Sequence, residues 1–133
     1  MTKPHFLALL LYALTKLIGL LPFTLLRTLG KILGFVSYHV NNRETQVARR
    51  NMQLIYPQDN IEVRERRVQE ILSSTGQTAF ETMAAWSRPR TKALKLIRNI
   101  HGLEHFQRAL EQGKGVIIAA PHYGNWELLI HYV

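Results

Sequence analysis

The chain has 133 residues, of which 47% are hydrophobic, and it contains no cysteine. A chain of this length holds one domain and is too short for a large multidomain enzyme, and the lack of cysteine excludes a disulfide framework, a thiolate nucleophile and metal centres with sulfur ligands. Seventeen Lys plus Arg against nine Asp plus Glu give a formal charge of +8, which indicates an anionic partner such as nucleic acid, a membrane surface or an acidic carrier or phosphorylated substrate.

Part of this positive charge lies in a stretch that contains no acid. Residues 1–42 carry Lys3, Lys16, Arg27 and Lys31 and no Asp or Glu, and this stretch is also the most apolar part of the chain. Protein arms that lie along nucleic-acid phosphates are dense in Lys and Arg and poor in apolar residues. The distribution therefore disfavours nucleic acid as the partner.

The amino-terminal segment is apolar enough to enter a membrane. Residues 6–26 contain Lys16 as their only charge, and a helix of about 20 such residues crosses a bilayer. Pro22 is expected to end a first helix, and a second, amphipathic helix can begin there. One face of this second helix collects its larger apolar side chains, which are Leu25, Leu26, Leu29, Ile32, Leu33 and Val36. We predict that residues 1–40 form membrane-anchoring and interfacial helices; the alternative is a core-facing helix of a soluble domain.

Basic residues lie mainly on the carboxyl-terminal side of this apolar segment. Lys3 precedes it, whereas Lys31, Arg43, Arg49 and Arg50 follow it. The positive-inside rule therefore predicts that the rest of the chain lies in the cytoplasm. Arg49 and Arg50 are also candidate substrate-binding residues, because a neighbouring anchor would bring anionic lipid head groups close to them.

The middle of the chain predicts two helices that end at proline signals. The first covers residues 41–57, with Asn42 as its amino-terminal cap and Tyr56 before Pro57 at its end. Its predicted inner face consists of Val47, Asn51, Leu54 and Ile55. A longer helix follows a polar connection at residues 58–60 and ends before Pro89. Its predicted buried face consists of Val68, Ile71, Leu72, Thr75, Ala79, Met83 and Trp86.

The last third of the chain predicts a strand, a crossover helix and a second strand. Residues 96–101 read as the first strand, and residues 104–112 read as a short helix capped by Gly113. Residues 115–120 (GVIIAA) form a continuous apolar run of the kind found in buried parallel strands. We therefore predict an α/β fold, in which residues 41–133 form the helical start and first βαβ unit of one domain.

A candidate catalytic site follows the second predicted strand. His122 is placed as a general base, and Glu127 is close enough in sequence to accept a hydrogen bond from its other ring nitrogen. Gly124 allows the backbone to approach a substrate, and Asn125 can cap a new helix. The plainer alternative is a surface histidine and a helix-start carboxylate, and a metal site that adds His131 is disfavoured because no HExxH pattern is present.

These residues resemble a known family. Residues 113–118 (GKGVII) and 122–127 (HYGNWE) look like the core motif of the bacterial lipid A biosynthesis late acyltransferases, the lauroyl and myristoyl transferases. Residues 48–52 (ARRNM), followed by Tyr56 and Pro57, are similar to the arginine-rich segment of the same family. The family shares an H-x4-D/E signature with the wider glycerolipid acyltransferases, so the resemblance implies a glycerolipid-acyltransferase-like domain.

The resemblance implies a reaction, its partners and a location. A fatty acyl chain passes from an acyl carrier protein thioester to a hydroxyl of a lipid A precursor, at the cytoplasmic face of the inner membrane. His122 deprotonates that hydroxyl and Glu127 supports His122, while Gly124, Asn125, Arg49 and Arg50 are expected to contact substrate. No cofactor and no metal is implied, and the expected partners are the carrier protein, the lipid A precursor and anionic membrane lipids.

Length is the point at which the chain departs from this family. Members of the family are about twice as long or longer, and Val133 falls inside the predicted helix that begins near Asn125. The predicted domain is therefore incomplete, and we expect the chain to be the amino-terminal part of an acyltransferase. The alternatives are an acyltransferase that acts on another glycolipid or an aminolipid, and a truncated, non-catalytic membrane-bound fragment.

Overall fold

The computed structural model describes residues 3–132, and within that range every regular element is a helix. Three features of the sequence place the first helix boundaries: Pro22 precedes the second helix, and Asn42 and Asn60 cap the third and fourth. The helices are α1 (Lys3–Gly19), α2 (Phe23–Val40), α3 (Arg43–Ile55), α4 (Ile61–Ser87), α5 (Arg90–Leu94), α6 (Leu103–Glu111) and α7 (Glu127–Tyr132). The long helix α4 is the centre of the fold, and α1, α2 and α3 pack against it.

The predicted α/β fold is wrong for these residues. Residues 96–101 and 115–120, the two predicted strands, form turns and irregular backbone, whereas the helix predicted between them is present as α6. Ile117, at the centre of the apolar run, is 99% exposed. A strand is stabilised by hydrogen bonds to a neighbouring strand, and a two-stranded pair is marginal in water. Residues 3–132 contain no strand, so neither run has a sheet edge with which to pair.

Glycine residues set how closely α2 approaches α4. The buried face of α2 consists of Leu26, Gly30 and Gly34, spaced four residues apart. A Cβ atom on Gly34 would lie 2.6 Å from the backbone oxygen of Leu72, and one on Gly76 would overlap the carbonyl oxygen of Gly30. The two backbones are therefore in direct contact, as in helix pairs that use small residues at their interface.

This contact determines which side of α2 the protein covers, and that side is not the apolar face that was predicted to rest in the bilayer interface. The interfacial role of that face stays a prediction. Of the six apolar residues assigned to one face, only Leu26 is fully buried, while Ile32, Leu33 and Val36 are about half exposed. The small residues face α4 because only they allow the backbones to approach, and the larger side chains therefore point away. The larger apolar face of α2 remains uncovered within the described residues.

The side-chain core between α3 and α4 is small. Ala48 and Met52 of α3 pack with Val68 and Leu72 of α4, and Tyr38 of α2 packs against this cluster. The predicted inner face of α3 is wrong by one residue, or about 100° around the helix. On α4, Val68 and Leu72 are buried as predicted. The remaining members of its predicted face, which are Ile71, Thr75, Ala79, Met83 and Trp86, are exposed or partly exposed.

The carboxyl-terminal ends of α1 and α4 cap each other. Lys16 of α1 donates to the carbonyl oxygens of Trp86 and Ser87, each at 3.4 Å. Arg88 donates in return to the carbonyl oxygens of Gly19 at 3.1 Å and Leu21 at 2.7 Å. Cations are favourable at helix carboxyl ends, where the last carbonyl groups lack partners. This exchange fixes α1 to the end of α4.

Membrane-spanning potential is divided between the first two helices. Within the part of the chain that the structure describes, no helix alone has both the length and the hydropathy to cross a bilayer. His5–Gly19 and Phe23–Val40 meet these criteria only as a pair, and the pair is bent by 120°. Helices from residues 1–40 and from residues 41–133 pack together, and the division of the chain at residue 40 stays a prediction.

A polar network joins α2, α3 and α4 beside the core. Both nitrogens Nε and Nη2 of Arg49 donate to the carboxylate of Glu65, and Nη1 donates to Asn41 Oδ1 at 2.6 Å. The hydroxyl of Tyr38 donates to the same carboxylate at 2.8 Å, and the Arg49 guanidinium lies 5.1 Å from the Tyr38 ring centroid. The hydrogen bond from Arg49 is the largest cause of the lowered pKa of Glu65, with a smaller contribution from Tyr38.

The close contact at Gly76 predicts that an alanine there destabilises the protein, whereas helix propensity alone predicts that it stabilises the protein. Propensity alone makes alanine about 1 kcal/mol better than glycine within a helix. Since the added Cβ overlaps the Gly30 carbonyl oxygen, we expect Gly76→Ala to lower the free energy of unfolding by about 1–3 kcal/mol. Denaturant titration followed by circular dichroism measures this change. Ser74→Ala, at an exposed position of α4, is the control, with an expected change within about 0.5 kcal/mol; stabilisation by Gly76→Ala would contradict the packing.

The network on Glu65 predicts a pH-dependent contribution to stability. A carboxylate with a lowered pKa in the folded state stabilises the protein above its unfolded pKa, about 4.3, and this stabilisation is lost as pH falls through the folded value. We expect Glu65→Gln to cost about 1 kcal/mol at neutral pH, since the pair is partly exposed to solvent. The difference from the wild type should disappear in acid. Glu62→Gln, exposed on the same helix, is the control, and a cost for Glu65→Gln that does not change with pH would argue against the network.

Candidate active site

The predicted catalytic segment runs from an irregular stretch into α7. Gly124 has a φ of 60°, in the left-handed region that favours glycine. Helix α7 begins at Glu127, and the backbone N–H of Leu128 donates to the carbonyl oxygen of Asn125 at 3.2 Å. The Asn125 side chain does not act as the predicted cap. Its Nδ2 and Oδ1 atoms are buried and lack hydrogen-bond partners among the described residues.

This segment forms one wall of an open cleft of about 700 Å³. The opposite wall is the exposed part of α4, and the lining residues are Ile71, Ser74, Thr75, Thr78, Ala79, His122, Tyr123, Gly124 and Trp126. The apolar spacing of α4 had predicted that Ile71, Thr75 and Ala79 are buried. They instead form the wall that faces His122, because α2 and α3 occupy other sides of the helix. Three hydroxyl groups give this wall a polar part opposite the histidine.

His122 and Glu127 have different immediate neighbours. The imidazole of His122 is exposed and meets the ring of Trp126 edge to face, with centroids 4.8 Å apart. Oε2 of Glu127 accepts a hydrogen bond from the indole Nε1 of Trp86 at 3.2 Å. Within the described residues, no hydrogen bond joins His122 to Glu127. His122 therefore lines the cleft, whereas Glu127 is bound to the last turn of α4 and is not among the lining residues. Their catalytic roles stay predictions.

Trp86 is a site residue that the sequence reasoning missed. Its helical spacing assigned it to the core of α4, but it is 58% exposed and holds the Glu127 carboxylate across 41 residues of chain. An indole N–H is a donor only, and such groups usually find an acceptor. The sequence offered one signal that Trp86 is accessible. It lies in the last turn of α4, just before Pro89, and the side chains at the end of a helix can be reached by other segments of the chain.

The two candidate arginines have unlike environments. Arg49 uses its guanidinium within the protein, on Glu65 and Asn41, and its pKa is raised chiefly by the hydrogen bond to Glu65. Arg50, the next residue of α3, is exposed. Neither lines the cleft at His122. Substrate binding by these residues stays a prediction, and the structure gives Arg49 a clear role in holding three helices together.

A metal centre that uses His122, Glu127 and His131 was the disfavoured alternative. Among the residues that the structure describes, no group of three or more His, Asp or Glu side chains is placed to hold a metal ion. The side chain of His131 lies outside that set.

Comparison with known proteins places the chain in a family. The sequence model for "Bacterial lipid A biosynthesis acyltransferase" matches residues 2–133. The lipid A biosynthesis palmitoleoyltransferase of Escherichia coli K12 is 32% identical over 108 residues, which cover 81% of this chain and 35% of that protein. The lipid A biosynthesis acyltransferase of Haemophilus influenzae is 32% identical over 136 residues, which cover 95% of this chain and 42% of that protein.

A third relative comes from outside the lipid A enzymes. The phosphatidylinositol mannoside acyltransferase of Mycobacterium tuberculosis is 46% identical over 39 residues, which cover 29% of this chain and 12% of that protein. No solved structure matches the chain.

The match extends along almost the whole chain but along only part of its relatives. The chain spans about a third to two fifths of the length of the curated lipid A relatives that it matches. The matched residues contain the HYGNWE segment, the cleft beside it and the α3 helix with its two arginines. The chain therefore belongs to the bacterial lipid A biosynthesis acyltransferase family.

Proposed function

We propose that the protein transfers a fatty acyl chain from an acyl carrier protein thioester to a hydroxyl of a lipid A precursor. The observation that carries this proposal is the position of His122 at an open cleft of about 700 Å³, in a chain that belongs to this family. An exposed imidazole beside hydroxyl-bearing and apolar walls suits an acceptor hydroxyl together with an acyl chain. The reaction needs neither cofactor nor metal.

In the proposed reaction, His122 acts as the general base. A ring nitrogen removes the proton of the acceptor hydroxyl while the oxygen attacks the thioester carbonyl. The tetrahedral intermediate collapses by breaking the carbon–sulfur bond, and the imidazolium returns its proton to the departing thiolate. The acyl chain moves directly between substrates, and the ester and the free carrier thiol are the products.

Glu127 stabilises the imidazolium in this proposal. One carboxylate oxygen, Oε2, accepts from Trp86, which leaves Oε1 as the acceptor for His122 when the substrates bind. A carboxylate beside the imidazole fixes its tautomer and favours its protonated form. Gly124 and Asn125 are proposed to contact the substrate. Gly124 lines the cleft, and the side chain of Asn125 has buried polar atoms without partners among the described residues.

The charge of the chain suits acidic partners. The formal charge is +8, and Arg43, Arg50 and Arg66 are exposed on α3 and α4. We propose that such exposed cations bind the acidic carrier protein, the phosphates of the lipid A precursor and anionic membrane lipids. Guanidinium groups bind phosphate and carboxylate well. Arg49 contributes to this surface by holding α3 in place.

We further propose that the protein works at the cytoplasmic face of the inner membrane. Side chains along α1 are exposed, including Phe6, Leu10 and Leu17, and the larger apolar face of α2 is also uncovered. Apolar patches of this extent on a protein with a lipid substrate suit burial at the head-group and acyl-chain boundary of a bilayer. Lys16 and Arg88 donate to helix-end carbonyl oxygens and keep their charges, which suits a position at the level of the lipid head groups.

A second acceptor class has a specific observation in its favour. The relative from Mycobacterium tuberculosis is named for a phosphatidylinositol mannoside, so an acyltransferase acting on another glycolipid or an aminolipid is the alternative. Assays with both types of acceptor distinguish the two.

Replacement of the proposed base tests the reaction. We expect His122→Ala to lower the rate of transfer from labelled acyl carrier protein to a lipid A precursor by about 10²- to 10⁴-fold. The assay uses membranes that contain the protein expressed from its complete gene. His105→Ala, at an exposed position of α6, is the matched control with unchanged activity expected. Equal activity of His122→Ala and wild type would eliminate the general-base role, and no transfer by either would favour the non-catalytic alternative.

Charges placed on α1 test the membrane proposal. Phe6→Glu combined with Leu10→Glu should weaken flotation with vesicles of anionic phospholipid by at least about 10-fold, because burial of each apolar side chain contributes about 1.5–3 kcal/mol. Gln53→Glu combined with Gln107→Glu adds the same charge at exposed polar positions and is the control. Unchanged flotation of the α1 variant would rule out this face as the membrane contact.

A further inference from the structure

The last turn of α4 is held in place from one side by α1. The carbonyl oxygen of Trp86 accepts a hydrogen bond from Lys16, and the hydroxyl of Ser87 donates to the carbonyl oxygen of Thr15 at 2.9 Å. A Cβ atom on Gly19 would overlap the side chain of Ser87, so the end of α1 lies directly against this turn. The backbone of Trp86 is therefore fixed by contacts that do not involve the candidate site.

The indole of Trp86 extends from this turn to the first residue of α7. Its Nε1 donates to Oε2 of Glu127 at 3.2 Å, and hydrogen bonds to an ionised carboxylate are stronger than those between neutral groups. The side chain of Trp86 is 58% exposed, so burial in a core does not account for its position. The hydrogen bond to the carboxylate is the specific contact that this ring makes with the candidate site.

The residue before Glu127 contacts the candidate base. Trp126 meets the imidazole of His122 edge to face, with ring centroids 4.8 Å apart, and both residues line the cleft. Because consecutive Cα atoms are about 3.8 Å apart, a contact that fixes Glu127 also restricts the backbone of Trp126. The hydrogen bond from Trp86 thus acts on the carboxylate directly and on the neighbour of His122 through one peptide bond.

We propose that Trp86 is a positioning residue for the transfer reaction and that it acts through Glu127. This inference rests on the proposed function. The indole N–H holds Oε2 and restricts rotation of the carboxylate, so that Oε1 is the oxygen presented to the imidazole of His122 when the substrates bind. A catalytic group is effective only when its neighbours hold it in the productive orientation. Trp86 itself does not line the cleft, so it has no substrate contact to contribute.

Trp86→Phe removes the indole N–H and keeps an aromatic ring. In membranes that contain the protein expressed from its complete gene, we expect this variant to lower kcat for acyl transfer by about 10- to 100-fold, the cost of a misplaced catalytic group. KM for the carrier protein and the lipid A precursor should stay at the wild-type values. Tyr56→Phe removes one aromatic donor at an exposed position outside the cleft and is the control, with wild-type kcat expected. A raised KM with unchanged kcat would contradict the positioning role.

A double-variant cycle tests whether Trp86 acts through Glu127. Residues that work as one unit give non-additive effects, so the second substitution should cost nothing once the first has been made. We expect Glu127→Ala and the double variant Glu127→Ala with Trp86→Phe to have the same kcat. A further loss of about 10-fold or more in the double variant would mean that Trp86 acts on another group or on folding, and would overturn the inference.

A nuclear magnetic resonance measurement tests the contact without catalysis. In protein labelled with isotope-enriched tryptophan, the indole N–H signal that disappears in Trp86→Phe belongs to Trp86. We expect the proton of this signal to move upfield in Glu127→Ala, because the hydrogen bond to the carboxylate is lost. An unchanged signal in Glu127→Ala would reject the contact and the inference with it, even if the protein transfers no acyl chain.

His122→Ala separates this inference from the proposed function. Loss of transfer in His122→Ala together with wild-type kcat in Trp86→Phe would reject the role of Trp86 and leave the proposed reaction standing. Wild-type activity of His122→Ala would overturn the proposed reaction and the inference together. A higher kcat in Trp86→Phe would mean that the indole holds Glu127 away from His122, which is the opposite of a positioning role.

Discussion

The close contact between the backbones of α2 and α4 is the constraint on which the rest of the structure depends. Gly30, Gly34 and Gly76 leave no room for a Cβ atom at this interface, so α2 can approach α4 in one orientation only. That orientation turns the larger apolar side chains of α2 away from the protein. It also leaves two other sides of α4 available, one for α3 and one for the segment that carries His122.

Because α1, α2, α3, α5 and α7 all contact α4, this helix connects the apolar amino terminus to the candidate site. Its last turn accepts hydrogen bonds from Lys16 of α1, while Trp86 in the same turn holds Glu127. One helix turn thus positions both the proposed membrane contact and the proposed catalytic carboxylate.

Arg49 illustrates how far residue type alone can identify function. An arginine pair beside an apolar segment suggests phosphate binding, and Arg50 keeps that possibility because it is exposed. The guanidinium of Arg49 instead donates hydrogen bonds to Glu65 and Asn41 and makes a cation–π contact with the Tyr38 ring. The Glu65 carboxylate that binds Arg49 lies 16 residues away on another helix. Neither the spacing nor the composition of the sequence predicts this ion pair.

The sequence by itself determined the features that depend on neighbours along the chain. Asn42 caps α3 through the backbone N–H of Thr45, and Pro22 and the Tyr56–Pro57 pair mark helix boundaries, because caps and prolines act within one turn of backbone. The HYGNWE segment likewise identified the family. Only the tertiary structure decided which face of each helix is buried, what Glu127 binds, and that the GVIIAA run of residues 115–120 stays irregular. These outcomes depend on partners remote in sequence. The buried face of α2 is set by a backbone that approaches its glycines, and Glu127 is bound by an indole N–H that needs an acceptor. The run at residues 115–120 forms no sheet because it has no neighbouring strand.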